Sequence, residues 1–280
     1  MRLVAFHVPG GTRAGRLEGE EVVEFDGADV GSLLEAGASL EDLAAMPGLG
    51  RRRLVDVRLA PPVLRPPAIV CVGRNYAAHA AEVRAEVGGF PTLFAKYASS
   101  LLGPHDDLVL PGVSDKVDWE VELAFVVTRR VRLRDEEAAG SCIGLYTVAN
   151  DVSMRDWQRR TSQFLQGKTF EASTPLGPCL VTADELPAAP EDGLRLTCRV
   201  DDEVVQDGST KDMVFPPAEV AAYISTFMTL EPGTVVLTGT PDGVGAARNP
   251  PVFLRPGQVL RSAVEGVGEL VNRCVLGGAR

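Results

Sequence analysis

Three acidic side chains with the spacing of a metal site lie in the middle of this 280-residue chain, within residues 117–168. Glu120 and Glu122 are two residues apart in an apolar run with β-strand character, and Asp151 follows the next such run. Side chains two apart on a strand point to the same face. Like charges held this close raise each other's pKa unless a cation lies between them. Because every donor is an oxygen, a hard divalent cation such as Mg²⁺ or Mn²⁺ suits the set.

The same three residues also have a simpler interpretation. Glu120 and Glu122 would then lie on a solvated strand face, since charged residues are usually exposed. Asp151 would only cap the helix that follows it. The apolar residues Ala124 and Val126 continue the face of the two glutamates and favour burial. The spacing alone leaves the two interpretations open.

Elements with recognisable hydrophobic periods must position these residues. Residues 117–127 predict one continuous β-strand, and residues 144–150 predict a second strand that ends just before Asp151. Residues 153–166 have a helical pattern. The metal set is therefore expected where two strands and a helix meet.

Two cationic side chains follow the acidic set. Arg155 and Gln158 lie one turn apart on the predicted helix, and Lys168 comes directly after Gly167, at an expected helix end. Arg155 and Lys168 would hold the carboxylate of a substrate, Arg155 through a bidentate fork.

A histidine and a glutamate form a second pair with chemical meaning. His79 and Glu82 are three residues apart on a predicted helix, and Asn75 is expected to cap that helix. A glutamate beside a histidine orients the ring and raises its basicity, so that the ring can take a proton from water. The alternative, an incidental ion pair on a surface helix, accounts for the spacing as well.

Composition narrows the class of protein. Lys and Arg number 28 against 38 Asp and Glu, a net charge of −10, which argues against a nucleic-acid or anionic-membrane partner. The amino terminus lacks the pattern of a secretory signal, and no run approaches the ~20 apolar residues of a membrane span. A soluble, cytoplasmic protein is expected. The five dispersed cysteines indicate neither a zinc site nor disulfides.

The chain divides at a proline-rich connector. Residues 1–62 contain short strand-like and helix-like pieces and predict a small N-terminal domain, with residues 63–280 as a second, β-rich domain. The late segment VVLTGTPDGVG is not G-x-G-x-x-G and does not lead into a helix, which excludes a dinucleotide site. A glycine-bearing loop of this kind can still deliver the hydroxyl of Thr240 to a site.

Five segments occur in one order along residues 68–275: IVCVGRNYAAHAAEV, the Glu-x-Glu strand, ANDVSMRDWQ, QGKTFEASTPLGP and VVLTGTPDGVG. Together they closely resemble the fumarylacetoacetate hydrolase family. The resemblance implies an α+β, mainly β fold, a mixed β-sheet roll with a small N-terminal α/β domain, and a homodimer.

The resemblance also implies roles for single residues. Glu120, Glu122 and Asp151 match the ligands of Mg²⁺ or Mn²⁺. His79 and Glu82 match a pair that activates water, on a helix that serves as a lid in relatives. The remaining matched residues lie beside the metal or line the substrate pocket: Lys168 beside the metal, with Arg155, Gln158, Lys96 and Thr240 in the pocket.

One departure from the family pattern concerns Arg74. The founding hydrolases bring a fourth carboxylate ligand from this neighbourhood, and here the spacing to His79 is shorter. We therefore expect Arg74 to contact the substrate instead. The chain is more similar to the acylpyruvate hydrolase and oxaloacetate decarboxylase branch of the family.

The implied activity is metal-dependent hydrolysis of a C–C bond in a 1,3-dicarbonyl 2-oxo acid, such as an acylpyruvate or fumarylpyruvate, through a metal-stabilised enolate. The same enolate chemistry serves decarboxylation of oxaloacetate or isomerisation of hydroxymuconate-type acids. Cleavage like that of ureidoglycolate lyase is a further alternative. A binding protein without catalysis would be expected to have lost at least one of the matched residues, and all of them are present.

Overall fold

The computed structural model describes residues 1–84 and 88–277. Over these residues the protein is mainly β, with a twelve-stranded mixed sheet, a five-stranded sheet and a two-stranded ribbon. This architecture confirms the predicted α+β, mainly β fold. No helix of the described residues is long and apolar enough to cross a bilayer.

The described residues form nineteen strands and eight α-helices. The strands are β1 (Arg2–Val8), β2 (Gly11–Glu18), β3 (Glu21–Glu24), β4 (Gly50–Arg53), β5 (Leu59–Ala60), β6 (Ile69–Gly73), β7 (Thr92–Lys96), β8 (Leu101–Leu102), β9 (Leu108–Leu110), β10 (Val117–Asp118), β11 (Val121–Val127), β12 (Ile143–Asn150), β13 (Ser153–Met154), β14 (Thr174–Thr182), β15 (Arg195–Val200), β16 (Glu203–Ser209), β17 (Val235–Leu237), β18 (Val259–Val264) and β19 (Gly268–Leu276). The helices are α1 (Val30–Glu35), α2 (Leu40–Ala45), α3 (Ala77–Glu82), α4 (Glu136–Gly140), α5 (Arg155–Gln158), α6 (Leu165–Lys168), α7 (Pro190–Gly193) and α8 (Pro217–Ser225).

Strand β11 is the centre of the large sheet, whose order is β4-β3-β2-β1-β14-β12-β11-β17-β6-β7. It is antiparallel to β12 on one side and to β17 on the other. All seven of its residues are buried, because both faces of the sheet are covered. Burial on both faces accounts for the nearly continuous apolar sequence of β11.

The two faces of β11 pack into different cores. Leu123 and Phe125 belong to the cluster that includes Leu260 of the five-stranded sheet, whose order is β16-β15-β18-β19-β9. Ala124 and Val126 pack into the second cluster, on the side of the amino-terminal helices. The predicted alternation of faces is therefore present along β11.

The amino-terminal section shares the large sheet. Strand β1 pairs antiparallel with β14, with Leu3 opposite Leu180, so that β1 to β4 extend the sheet that contains β11 and β12. The domain boundary near residue 62 stays a prediction.

Residues 117–127 do not form one strand, and the prediction of a continuous strand is wrong. The strand is interrupted between β10 and β11. At the interruption, two side chains that are distant in sequence accept the backbone hydrogen bonds that a neighbouring strand would otherwise accept. The backbone N–H of Glu120 donates to Oδ1 of Asn150 at 2.9 Å, and that of Val121 donates to Oε1 of Gln206 at 3.0 Å. These bonds satisfy the buried backbone and permit the break.

The single helix predicted over residues 153–166 is also wrong. The first two residues form β13, which pairs with β10 and places Met154 opposite Val117. Two short helices, α5 and α6, then follow with an irregular connection between them. Pairing with a distant strand overrides the local helical pattern here.

Asn75 does not cap helix α3, which begins after Tyr76. The side-chain amide of Asn75 instead donates to the carbonyl oxygens of Phe215 and Thr238 at 2.9 and 2.8 Å. It thereby ties the segment before the helix to two distant loops, a role that its sequence position did not indicate.

Candidate active site and metal centre

The three predicted metal ligands converge at one end of the central strands. Glu120 lies just before β11, Glu122 is the second residue of that strand, and Asp151 directly follows β12. One carboxylate oxygen of each residue lies within 4.8 Å of the oxygens of the other two. All three side chains are buried, which contradicts the interpretation of a solvated face.

Three cationic groups balance this acidic cluster. The Lys168 ammonium lies 2.5 Å from Oε2 of Glu120 and 2.8 Å from Oδ2 of Asp151. Lys96 contacts the other oxygen of Asp151 at 2.7 Å, and Arg155 Nη1 contacts Oε1 of Glu120 at 2.7 Å. Buried ions of this kind need such partners, because desolvation is costly.

The charge distribution is uneven among the carboxylates. Burial opposes ionisation of Glu120, but Lys168 and Arg155 outweigh it and lower the pKa of Glu120 to about 2. For Glu122, burial together with the charges of Asp151 and Glu120 raises the pKa well above its ordinary value. A third, uncompensated carboxylate beside two others is the environment in which a divalent cation replaces repulsion by ligation.

The residues present fit a hard divalent cation. The donor set consists of carboxylate oxygens alone, and it is buried and convergent. Mg²⁺ and Mn²⁺ prefer oxygen donors, whereas zinc sites are built mostly from nitrogen and sulfur. Glu120, Glu122 and Asp151 would hold the ion.

A cavity of about 390 Å³ opens beside the acidic cluster. Its wall contains residues of α3, α5 and α6, whereas Glu82 of α3 lies outside the lining. The predicted site residues in its lining are Arg74, His79, Glu120, Arg155, Gln158 and Lys168. A buried anionic substrate would meet several cations there.

His79 and Glu82 form the expected pair. Nδ1 of His79 lies 3.3 Å from Oε2 of Glu82, and the other oxygen of Glu82 accepts the backbone N–H of Gly243 at 3.0 Å. His79 is buried and lines the cavity, which argues against an exposed ion pair, whereas Ala77, Ala78 and Ala81 on the other face of the helix are exposed. The glycine-bearing loop therefore holds the glutamate that orients the histidine.

Lys96 and Thr240 lie beside the acidic cluster and not in the lining of the cavity. Lys96 donates to Asp151 and to the backbone carbonyl of Lys168. The Thr240 hydroxyl donates to the carbonyl of Val121 at 2.9 Å and accepts from Gln206 at 2.8 Å. Lys96 thus contacts a predicted metal ligand, and Thr240 contacts the backbone between two others; the predicted contact of both residues with substrate stays a prediction.

Sequence reasoning missed Asp118 and part of the cavity wall. Asp118 is fully buried, and its Oδ2 accepts from Nε of Arg155 at 2.8 Å. The only sequence indication was a third acid two residues before Glu120. Further lining residues that sequence reasoning missed are Phe94, Arg159, Thr161, Ser162 and Phe164.

The expected bidentate fork of Arg155 is not free. Its Nε is bonded to Asp118, and its Nη1 contacts both Glu120 and the Gln158 side chain. A guanidinium already held at these two nitrogens has only Nη2 left for a ligand.

The family sequence model described as fumarylacetoacetate (FAA) hydrolase C-terminal matches residues 68–275. The chain belongs to the fumarylacetoacetate hydrolase family. The match covers the acidic cluster, the His79–Glu82 pair and the glycine-bearing loop. It confirms the family resemblance noted in the sequence.

Relatives within the family are named for different activities. The human mitochondrial protein named oxaloacetate tautomerase FAHD2A is 46% identical over 222 residues, covering 79% of this chain and 70% of its own. The structure of fumarylacetoacetate hydrolase from Exiguobacterium antarcticum has a TM-score of 0.86 at 32% identity, over 99% of this chain and 100% of that one. The structure of 5-carboxymethyl-2-hydroxymuconate delta-isomerase from Mycobacterium smegmatis has a TM-score of 0.82 at 31% identity, with the same coverage. These names support an enzyme of the family and leave its reaction open among several classes.

Proposed function

We propose that this family member is a divalent-metal-dependent enzyme that converts a small 2-oxo acid through its enolate, with keto–enol tautomerisation of oxaloacetate as the reaction. One observation carries the proposal: His79, Arg155 and Lys168 line one cavity beside the convergent carboxylates. A proton-transfer group thus faces the place where an anionic substrate would be held. The human relative that is 46% identical is named oxaloacetate tautomerase, which supports this choice of reaction.

When bound, a divalent cation would polarise the oxygens of the 2-oxo acid and stabilise the negative charge of its enolate. The protein supplies the remaining interactions. Lys168 and Arg155 place positive charge beside the substrate carboxylate, where partial desolvation strengthens each attraction. His79 and Lys168 are buried at the inner wall of the cavity, whereas lining residues such as Arg159, Thr161 and Ser162 are exposed, so substrate enters from the solvent side.

His79 would move the proton. A neutral ring removes a proton from the carbon next to the keto group, and the resulting imidazolium returns a proton to oxygen or carbon. Glu82, 3.3 Å from Nδ1, stabilises the charged ring and fixes its orientation. The Gly243 N–H holds Glu82 in turn, so that the pair does not depend on solvent.

C–C bond hydrolysis of an acylpyruvate or fumarylpyruvate, the activity implied by the sequence, is the second candidate. The Glu82-oriented His79 favours it, because such a pair can deprotonate water. Hydroxide would add to the distal carbonyl, and the C–C bond would break with its electron pair leaving as the enolate of pyruvate, which takes up the proton. Decarboxylation of oxaloacetate, isomerisation of hydroxymuconates and ureidoglycolate cleavage would place substrate in the same cavity.

One set of assays tests both candidates. The enol absorbance of oxaloacetate is followed with Mg²⁺ and enzyme, and products from acetylpyruvate are identified by NMR. We expect faster tautomerisation with wild type and a loss of about 10²–10⁴-fold in His79→Ala. Acetate and pyruvate from acetylpyruvate, without accelerated tautomerisation, would favour the hydrolase. If His79→Ala matched wild type in both assays, the role of His79 would be wrong.

We further propose a homodimer located in the cytoplasm, with no nucleic acid or membrane as partner. The acidic balance of the chain supports the absence of these partners. Light scattering of the purified protein would test the assembly. The human relative is named as mitochondrial, so fractionation of the source cells is the measurement that decides the location.

A further inference from the structure

Arg155 is restrained at two of its three guanidinium nitrogens. Nε donates to Asp118 at 2.8 Å, and Nη1 donates to Gln158 at 3.0 Å and lies 2.7 Å from Oε1 of Glu120 in an ion pair. Nη2 is buried and has no hydrogen-bond partner within the described part of the chain. The residue itself lines the 390 Å³ cavity. An unpaired N–H of a buried guanidinium is costly, which indicates that a ligand completes it.

Asp118 connects this arginine to the loop that contains Gly245 and Ala246. Its Oδ1 accepts the backbone N–H groups of Gly245 and Trp119 at 2.7 and 2.9 Å. Its Oδ2 accepts the N–H of Ala246 at 2.9 Å in addition to Nε of Arg155. Four donors saturate the fully buried carboxylate, so it has no capacity left for a substrate or a cation.

The backbone of the loop is shaped for this contact. A Cβ at Gly245 would lie 2.0 Å from the carbonyl oxygen of Val252 and 2.8 Å from Oδ1 of Asp118, both closer than real Cβ contacts allow. Only glycine lets the loop approach the carboxylate here. Ala246 and Arg155 both line the cavity. The Asp118 carboxylate therefore fixes the positions of both the loop and the guanidinium.

We propose that Asp118 is a positioning residue that fixes Arg155 so that Nη2 alone donates to a carboxylate oxygen of the bound 2-oxo acid. The proposal rests on the proposed function for its ligand class. Asp118 touches neither substrate nor metal, and it acts through Arg155. Without Asp118, the guanidinium is free to swing towards Glu120, and Nη2 no longer points at the substrate.

Binding measurements with Asp118→Asn test this role. The probe is oxalate, whose adjacent carboxyl groups resemble a 2-oxo acid enolate, titrated calorimetrically at saturating Mg²⁺. We expect oxalate to bind about 10–100-fold more weakly in the variant, the usual effect of removing a supporting residue. The Kd of Mg²⁺ is measured separately for each variant, because Arg155 contacts Glu120, so that oxalate is titrated with the metal site filled in both. In turnover, KM should rise more than kcat falls.

A neighbouring carboxylate provides the matched control. Asp156 follows Arg155 on α5, but its Oδ1 accepts from Ser114 at 2.5 Å and not from the arginine. Asp156→Asn should bind oxalate and Mg²⁺ as wild type does. An equal loss of oxalate binding in both variants would overturn the proposal, because charge near the site would then suffice as the explanation.

A double-mutant cycle separates action through Arg155 from a direct effect. Arg155→Met weakens oxalate binding by itself, and adding Asp118→Asn should weaken it by less than about threefold more. Additive losses, or wild-type oxalate affinity in Asp118→Asn, would overturn the proposal.

Arg155→Lys decides the question if Asp118→Asn does not fold. It keeps the charge but has one nitrogen for which Asp118 and Glu120 compete, so we expect at least about tenfold weaker oxalate binding. Wild-type oxalate affinity in Arg155→Lys would overturn the proposal. If wild-type protein bound neither Mg²⁺ nor oxalate, the proposed function itself would fail, and the two failures are thus distinguishable.

Discussion

The ammonium group of Lys168 lies 2.5 Å from Oε2 of Glu120, with both side chains buried. The same ammonium also contacts Asp151, and burial alone would lower the pKa of Lys168, but the charges of Asp151 and Glu120 outweigh it and raise that pKa. The lysine thus remains charged in the interior and offsets two of the three carboxylates.

Removing this ammonium should destabilise the metal-free protein. We expect Lys168→Met to lose roughly 3 kcal/mol of unfolding free energy, because Glu120 and Asp151 each lose one of two cationic partners in a buried, acidic cluster. Urea unfolding in the presence of EDTA measures the loss. Lys116→Met, at an exposed lysine, serves as the control and should unfold like wild type. Equal midpoints for the two variants would contradict the role assigned to Lys168.

Removing the charge of Glu122 should weaken metal binding without lowering the stability of the metal-free protein. This carboxylate has no ion-pair partner among the described residues and accepts only the Gly239 N–H, at 2.7 Å. Glu122→Gln should weaken Mg²⁺ binding by at least about tenfold, or about 1.4 kcal/mol, because a ligand charge is lost. The stability in EDTA should not fall, because repulsion from Glu120 and Asp151 is relieved.

Calorimetric titration and urea unfolding together measure this separation. Glu219→Gln, at a partly exposed position in the first turn of α8, is the control and should change neither quantity. In wild type, Mg²⁺ at a hundred times its Kd should add about 2.7 kcal/mol to the unfolding free energy. Unchanged Mg²⁺ affinity in Glu122→Gln would exclude this residue as a ligand.

The side chain of Gln206 accepts the backbone N–H of Val121, which lies between the two glutamates, in place of a neighbouring strand. Its loss in Gln206→Leu leaves a buried N–H unpaired and should cost about 1–3 kcal/mol of stability. Mg²⁺ binding should weaken as well, because the strand break orients Glu120. Both quantities are measured against Gln163→Leu, an exposed glutamine. A variant with lower stability but unchanged metal affinity would show that Gln206 supports the fold alone.

Close packing of α5 against α6 requires a glycine. A Cβ at Gly167 would lie 2.5 Å from the backbone N of Gln158, so Gly167→Ala must push the two helices apart. We expect about 1–3 kcal/mol of destabilisation and weaker oxalate binding, because Gln158 and Lys168 both move. Gly112→Ala, where a Cβ meets nothing within 4 Å, is the control. Thermal unfolding and titration give the two results, and wild-type behaviour of Gly167→Ala would show that the helices adapt without loss.

The sequence by itself determined the local features with strong patterns. The mostly apolar runs of β11 and β12 predict two buried strands, because a strand that is covered on both faces is apolar at most positions. The acidic residues were found at their ends for the same reason: a charge that directly adjoins a buried strand stands out. The order of motifs identified the family, since several spacings together are rarely accidental.

Only the tertiary structure decided how these residues meet. The break before Val121 depends on Asn150 and Gln206, which are 30 and 85 residues away from their backbone partners, so no local pattern could show it. The short helices around Arg155 depend on pairing of β13 with β10. The orientation of that arginine depends on Asp118, across 37 residues of chain. Hydrogen bonds between distant segments, which leave no periodic trace in the sequence, thus set the geometry of the site.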